Sequence, residues 1–452
     1  MQEKLWFVTA LGEHVSYGAD LADRAMLRAD LHINGLAMLS ETEVLPTRTS
    51  PMQISHRRVT LCGALFVSLG PVSLGLFTPA MTSIATDFAV EEAWVQSSLI
   101  LYVAGFSFAQ LVSGPLSDGF GRRRVLIAFI GIYLLGSIIG MLSPSIEMVL
   151  IGRLAQGIGA AAGVTILRAV VRDLFKGEAA AEILGSIGTM LAISPAIAPV
   201  VGALSVEALG WRGVFVAMSL VGIVLIAVAA VVLAETHPRS RRRRPLPLHV
   251  ARVYVEFLKT SRVFVAALTA ACSIGGIYMF AAFMPFVLIQ YAGLSTLQFG
   301  LVMLIPSSFY VIAALMTKRL LRTRAHETLI LPGLGILLLA SSGLSFVLFF
   351  GPPNAFLIIV PTAFFSFALP LITPAITVQA MEGRAEQGGA AAAVLGFFQF
   401  GGGFAFAIIG MGFPSPVMAV AVLPVVMSLI AILAQVIMAR HHPQTIQPLE
   451  IA

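Results

Sequence analysis

One nearly uncharged apolar run follows another along this chain, most of them 20 residues or longer by the usual bilayer criterion of about 20, and that spacing constrains the fold more than any motif does. Hydrocarbon offers a backbone N–H or C=O no partner, so a segment lying in it must form helix or a closed barrel. The runs are too long for barrel strands. They predict spans near Leu61 to Ala85, Ala93 to Ser113, Val125 to Ser143, Met148 to Leu167, Ile183 to Val206 and Gly213 to Ala234. A second set follows near Val263 to Gln290, Leu297 to Thr317, Thr328 to Phe350, Ala355 to Met381, Gly388 to Phe413 and Pro416 to Ala439. With 58% hydrophobic and only 11% charged residues, no aqueous core could absorb this much apolar surface. The expected fold class is an all-α integral membrane protein with twelve transmembrane helices in two six-helix pseudo-repeats.

The basic balance does not point to nucleic acid, because the cations sit in alternate connections. Arg122 to Arg124 follow span two, Arg168, Arg172 and Lys176 follow span four, and Arg239 with Arg241 to Arg244 follows span six. Lys318, Arg319, Arg322 and Arg324 follow span eight, and Arg384 follows span ten. The opposite connections hold Asp87, Glu91, Glu92, Glu147 and Glu207, with Arg212 nearly their only base. The positive-inside rule therefore puts both termini in the cytoplasm, and the arginine run reads as a topology determinant at an anionic lipid surface. Cys62 and Cys272 both fall inside apolar runs and read as small core residues, not as a disulfide or metal pair.

Residues 1–58 form a mixed-charge tail without a signal-peptide pattern, and Met52 is a plausible alternative start. Residues 59–237 and 263–440 make the two six-helix halves, 238–262 a basic linker and 441–452 a second tail. Parallel halves of this kind place a solute site between them and alternate its access by rocking. Pro195, Pro199, Pro306, Pro370 and Pro374 interrupt helix bonding and permit bending, or merely shape packing.

Two elements carry a stronger signal. Gly114-Pro-Leu-Ser-Asp-Gly-Phe-Gly-Arg-Arg-Arg124 is placed in the short loop between spans two and three, with Gly114 for close helix approach, Gly121 for a tight turn and Asp118 as an acceptor at a helix start. Arg122 and Arg123 hold that loop inside. Arg153-Leu-Ala-Gln156-Gly157-Ile-Gly159-Ala-Ala161 sits in span four, and Arg153 is the one formal charge deep inside an apolar run. A cation there must face the protein interior or a wet cavity, where it either serves transport or ties helices through Gln156.

Both elements resemble the major facilitator superfamily, whose signatures run Gly-x-Leu-x-Asp-(Arg)-x-Gly-Arg-(Arg/Lys) and Arg-x-x-Gln-Gly-x-Gly-Ala-Ala. Gly119 departs from it, standing where the family usually has a base. Pro195, Pro199 and Gly202 in span five look like a worn copy of the antiporter element Gly-x-x-x-Gly-Pro-x-x-Gly-Gly. Together with Val171-Arg-Asp-Leu-Phe175, Gly210-Trp-Arg212, Pro285-Phe-Val-Leu288 and Leu395-Gly-Phe-Phe-Gln399-Phe-Gly401, they make the chain most similar to the bicyclomycin-resistance (Bcr/CflA-type) subgroup of bacterial drug:proton antiporters.

That resemblance implies a monomeric exporter of small drug-like molecules in the bacterial inner membrane, driven by protons, needing no cofactor, with a cavity lined by the first, fourth, seventh and tenth helices. Arg153, Gln156, Tyr278 and Gln399 are then the substrate or coupling candidates. Relatives carry an aspartate in the first helix; here Gly75 falls at that place, and Asp118, Asp173, Glu182, Asp87, Glu147 and Glu207 at the boundaries are the remaining proton candidates. Two other readings stay open: a metabolite or organic-anion permease of the same fold, and a non-transporting membrane scaffold or receptor. An enzyme is disfavoured, since no His-Glu-x-x-His, Gly-x-Ser-x-Gly or intramembrane acidic cluster occurs.

Overall fold

The computed structural model describes residues 56–242, 247–381 and 388–441. The amino-terminal tail with Met52, the linker residues 243–246, Arg384 and the end of the chain from residue 442 lie outside the described residues. Everything described is helix, turn or short connection, with no strand among these residues. The spans are His56–Asp87, Glu92–Phe120, Arg122–Met141, Ile146–Leu174, Gly177–Leu209 and Arg212–Val231, then Ser261–Tyr291, Thr296–Leu320, His326–Phe350, Ala355–Met381, Gly388–Met411 and Pro416–His441. Among the described residues eleven of these are long and apolar enough to cross a membrane, and the remaining one, Gly177–Leu209, is a helix of 33 residues. The molecule is an all-α membrane protein of two six-helix halves.

Prolines mark where helices depart from regularity. Pro79 cannot donate to the Gly75 carbonyl, so span one passes through a tight turn at Thr78–Ala80, and the Thr78 hydroxyl donates to that freed carbonyl at 3.0 Å. In span seven a π-helical turn, Phe286–Tyr291, follows Pro285. Span eight starts on a capping box of Ser295 and Gln298 and breaks at Met303, one residue past the Val302 carbonyl that Pro306 leaves without a donor. Pro370 and Pro374, by contrast, lie inside an uninterrupted helix, and so does Pro199.

In the first half, spans two and three both lie against span four. Small residues allow this: a Cβ added to Gly157 would come within 2.8 Å of the Tyr102 carbonyl carbon, and one on Gly136 within 2.6 Å of the Gly152 oxygen. The halves meet where span two packs on span eleven and span five on span eight. The outer turn of span one, from Thr78, also packs on spans seven and eight. Leu135, Leu220, Leu339 and Phe346 are exposed on the outside of the bundle, as a lipid-facing surface requires.

The linker differs from a plain polar connection, because Pro247–Leu258 is a helix. Its apolar residues Tyr254, Phe257 and Leu258 recur at helical spacing, and Phe257 packs with Val263 and Val394, flanked by Met381 and Phe398 of the second half.

Candidate functional site

The charge in span four is closed off completely. Arg153 is 0% exposed, its guanidinium carbon lying 4.3 Å from the Phe77 ring centroid and 4.1 Å from that of Tyr102. Nη1 donates to Gln156 Oε1 at 2.7 Å, and Gln156 Nε2 in turn donates to Ser137 Oγ at 2.8 Å. Nε and Nη2 have no hydrogen-bond partner among the described residues. The walls are themselves anchored, since the Tyr102 hydroxyl donates to the Gly70 carbonyl at 2.8 Å and Tyr133 and Ser73 share a 2.5 Å hydrogen bond. A guanidinium held between two π faces, with no carboxylate among the described residues in hydrogen-bond range, is stabilised by ring quadrupoles in place of an ion pair. Arg153 and Gln156 thus belong together, but inside the first half and not on an open cavity wall.

Tyr278 and Gln399, the other two candidates, lie on spans seven and eleven of the second half, and both are half-buried. Tyr278 of span seven stacks on Phe400 of span eleven at 4.3 Å, and Phe400 stacks on Phe106 of span two at 4.1 Å. Tyr102 and Tyr310 are both within electrostatic reach of Tyr278. From Arg153 the ring contacts run through Tyr102, Phe106 and Phe400 to Tyr278. The sequence reading missed Phe106, Phe400 and Tyr310; the aromatic run Phe397, Phe398 and Phe400 around Gln399 was the available signal.

The loop motif is mostly not a loop. Span two continues to Phe120, leaving Gly121 alone, at φ +102°, between two helices. Asp118 consequently sits near a helix end, not a helix start, where it pairs with Arg122 one turn on. Arg122, 5% exposed, also reaches Asp173 at 3.1 Å and Ser117, while its backbone N–H donates to Glu235 at 2.9 Å. Glu235 pairs with Arg242 at 3.4 Å. Arg123 donates to the Ala229 and Ala230 carbonyls, capping the end of span six. Gly114 has no neighbour within 4 Å of an added Cβ, so it does not serve close packing.

At the opposite, acidic end, Asp87 accepts from Trp211 Nε1 at 2.8 Å and pairs with Arg212 at 3.4 Å. Arg212 also donates to the Ser143 carbonyl at 3.0 Å, tying the ends of spans one, three and six together. All six boundary carboxylates are exposed, and Asp118, Asp173 and Asp87 are among those engaged in ion pairs or hydrogen bonds. Gly75 explains the missing acid in span one: an added Cβ would lie 2.7 Å from the Ala198 methyl and 3.2 Å from Pro199 Cδ. Pro199 and Gly202 of span five pack on span one there, Gly202 facing the Leu76 backbone. The Pro195 side chain lies outside the described residues.

Residues 61–408 match the Major Facilitator Superfamily. The chain is 28% identical over 348 residues to a bicyclomycin resistance protein homolog of Haemophilus influenzae, covering 74% of this chain and 83% of that one. It is 28% identical over 290 residues to the multidrug resistance protein MdtL of Salmonella heidelberg, covering 64% and 73%. Among solved structures it is similar to the partially occluded inward-open xylose transporter XylE of E. coli, with a TM-score of 0.66 and 14% identity over 86% of this chain and 98% of that one. The human organic anion transporter MFSD10 gives a TM-score of 0.63 at 18% identity, covering 85% and 99%.

Proposed function

The chain belongs to the Major Facilitator Superfamily, and from that premise we propose that it exports small drug-like molecules from the cytoplasm by proton antiport and alternating access. In this reading it works as a monomer in a bacterial inner membrane, with the arginine-rich end and both termini in the cytoplasm. The names of its bacterial relatives support drug efflux.

One observation carries the substrate class: aromatic rings of both halves meet where Tyr278 and Phe400, next to Gln399 in the chain, stack toward Phe106, with the buried Arg153 behind Tyr102 and Phe106. Aromatic faces and an amide suit neutral, planar or amide-bearing solutes. The cation behind them disfavours a second positive charge, by a few kcal/mol at roughly 4 Å and intermediate dielectric and by less with distance. Neutral, zwitterionic or anionic solutes are therefore preferred over quaternary cations.

The test is transport in proteoliposomes with and without an imposed pH gradient, comparing a neutral aromatic amide with tetraphenylphosphonium. Gradient-driven movement of the amide, with little of the cation, is the expected result. Equal handling of both would overturn the substrate class. A second reading, a metabolite or organic-anion permease, is favoured by Gly75 in place of the acid and by the Arg153 donors without partners. Saturable movement indifferent to the pH gradient would select it.

A further inference from the structure

Pro115 lies inside span two and has no N–H to give the carbonyl of Leu111, four residues before it. The structure fills that vacancy from far along the chain: the hydroxyl of Tyr254, on the linker helix, donates to the Leu111 carbonyl at 3.0 Å. The arrangement parallels Thr78 and the carbonyl that Pro79 frees, but with the donor brought from another element. Tyr254 is mounted on the second half, because its neighbour Phe257, 1% exposed, packs with Val263 of span seven and Val394 of span eleven, with Met381 and Phe398 beside them. One hydrogen bond therefore joins a helix break in the first half to an element carried by the second.

We propose that Tyr254 is a positioning residue for gating, holding span two against the second half while the arginine-rich end is closed and releasing it when that end opens. In this structure the bond to the Leu111 carbonyl is part-buried, and without Tyr254 that carbonyl would go unpaired. Once the halves separate there, water replaces the phenol. The bond thus favours one state over the other, which is the condition for a contact to bias a conformational equilibrium. Burial, and secondly the nearby Asp118 carboxylate, push the Tyr254 pKa up to about 12, so its hydroxyl remains a donor across the physiological range.

The inference rests on alternating access, and the experiment separates the two. Spin labels are placed at Lys176→Cys and Arg322→Cys, both exposed at the arginine-rich end, in a Cys62→Ala/Cys272→Ala background, and distances are measured in lipid nanodiscs. Tyr254→Phe keeps the ring packing and should raise the open-to-closed ratio about fivefold, the equivalent of one ordinary net hydrogen bond. Pro115→Ala supplies the missing N–H, so adding Tyr254→Phe to it should leave the ratio unchanged. Two populations that Tyr254→Phe does not shift, or that it shifts equally with Pro115→Ala present, would overturn the role of Tyr254. A single distance that neither substrate nor pH moves would overturn alternating access, and the gating role with it.

Discussion

Replacing Arg153 by methionine separates a transport role from a structural one. Two π contacts at 4.3 and 4.1 Å favour the guanidinium by about 2 kcal/mol each when desolvated. The charged bond to Gln156 adds about 1.5–3 kcal/mol. Against these stands a desolvation penalty of several kcal/mol for the ion, which includes the unpartnered Nε and Nη2. The balance lies near zero, and an unbranched apolar side chain of similar length fills the same slot between Phe77 and Tyr102. Arg153→Met should therefore leave the thermal midpoint of the purified protein unchanged or slightly raised, while proteoliposome transport falls to background. Arg153→Lys should do worse in stability, since an ammonium lacks the planar face that lies between two rings. A drop of many degrees in Arg153→Met, the signature of a lost structural tie of about 3–5 kcal/mol, would refute the argument.

Three further substitutions test the surroundings. Gly75→Asp should not restore a proton carrier but lower the thermal midpoint, because its Cβ meets Ala198 and Pro199 and overpacking costs about 1–3 kcal/mol before any charge is buried; improved proton coupling in the vesicle assay would contradict this. Gly157→Ala should reduce both stability and transport by forcing span two away from Arg153, and normal behaviour in both assays would show that the packing gives way freely. Asp118→Asn should leave stability intact, since Arg122 keeps Asp173 and Ser117, yet slow turnover several-fold; an unchanged rate in a quantified membrane preparation counts against a gating role.

The spans were legible because lipid imposes length and apolarity on them directly, and their observed bounds lie within a few residues of the runs read from sequence for most. Spans two, four and five overrun most, and the reason is visible in span two. Its polar last turns, through Ser117 and Asp118, lack the apolar signal, yet the helix continues to Phe120 because Arg122 and Ser117 bond there. The linker helix was hidden for a similar reason: Tyr254, Phe257 and Leu258 make a short apolar stripe among charged residues, and only the second half gives it something to cover. Arg153 was identifiable from the cost of its burial, but cost does not name the covering rings. In a chain with 30 Phe, nothing local distinguishes Phe77 or Phe400 from one facing lipid.

The position of Phe77 links the buried charge to the movable parts of the molecule. Phe77 is the last residue of the helix before the Thr78–Ala80 turn, and that turn is where span one meets spans seven and eight of the second half. On its other side Arg153 rests on Tyr102, whose neighbour Phe106 stacks on Phe400 of the second half. The cation thus stands behind two walls at once, one at the acidic-end contact and one at the contact of spans two and eleven, with no carboxylate among the described residues in hydrogen-bond range. A fixed ion pair would hold both walls in a single geometry. Ring faces hold a guanidinium with less directional demand, so either wall can shift without leaving a carboxylate stranded in a dry interior. The absence of an acid at position 75 is then consistent with the packing: Gly75 lets span one lie against Ala198 and Pro199, and the charge that must be buried is held by aromatic residues instead.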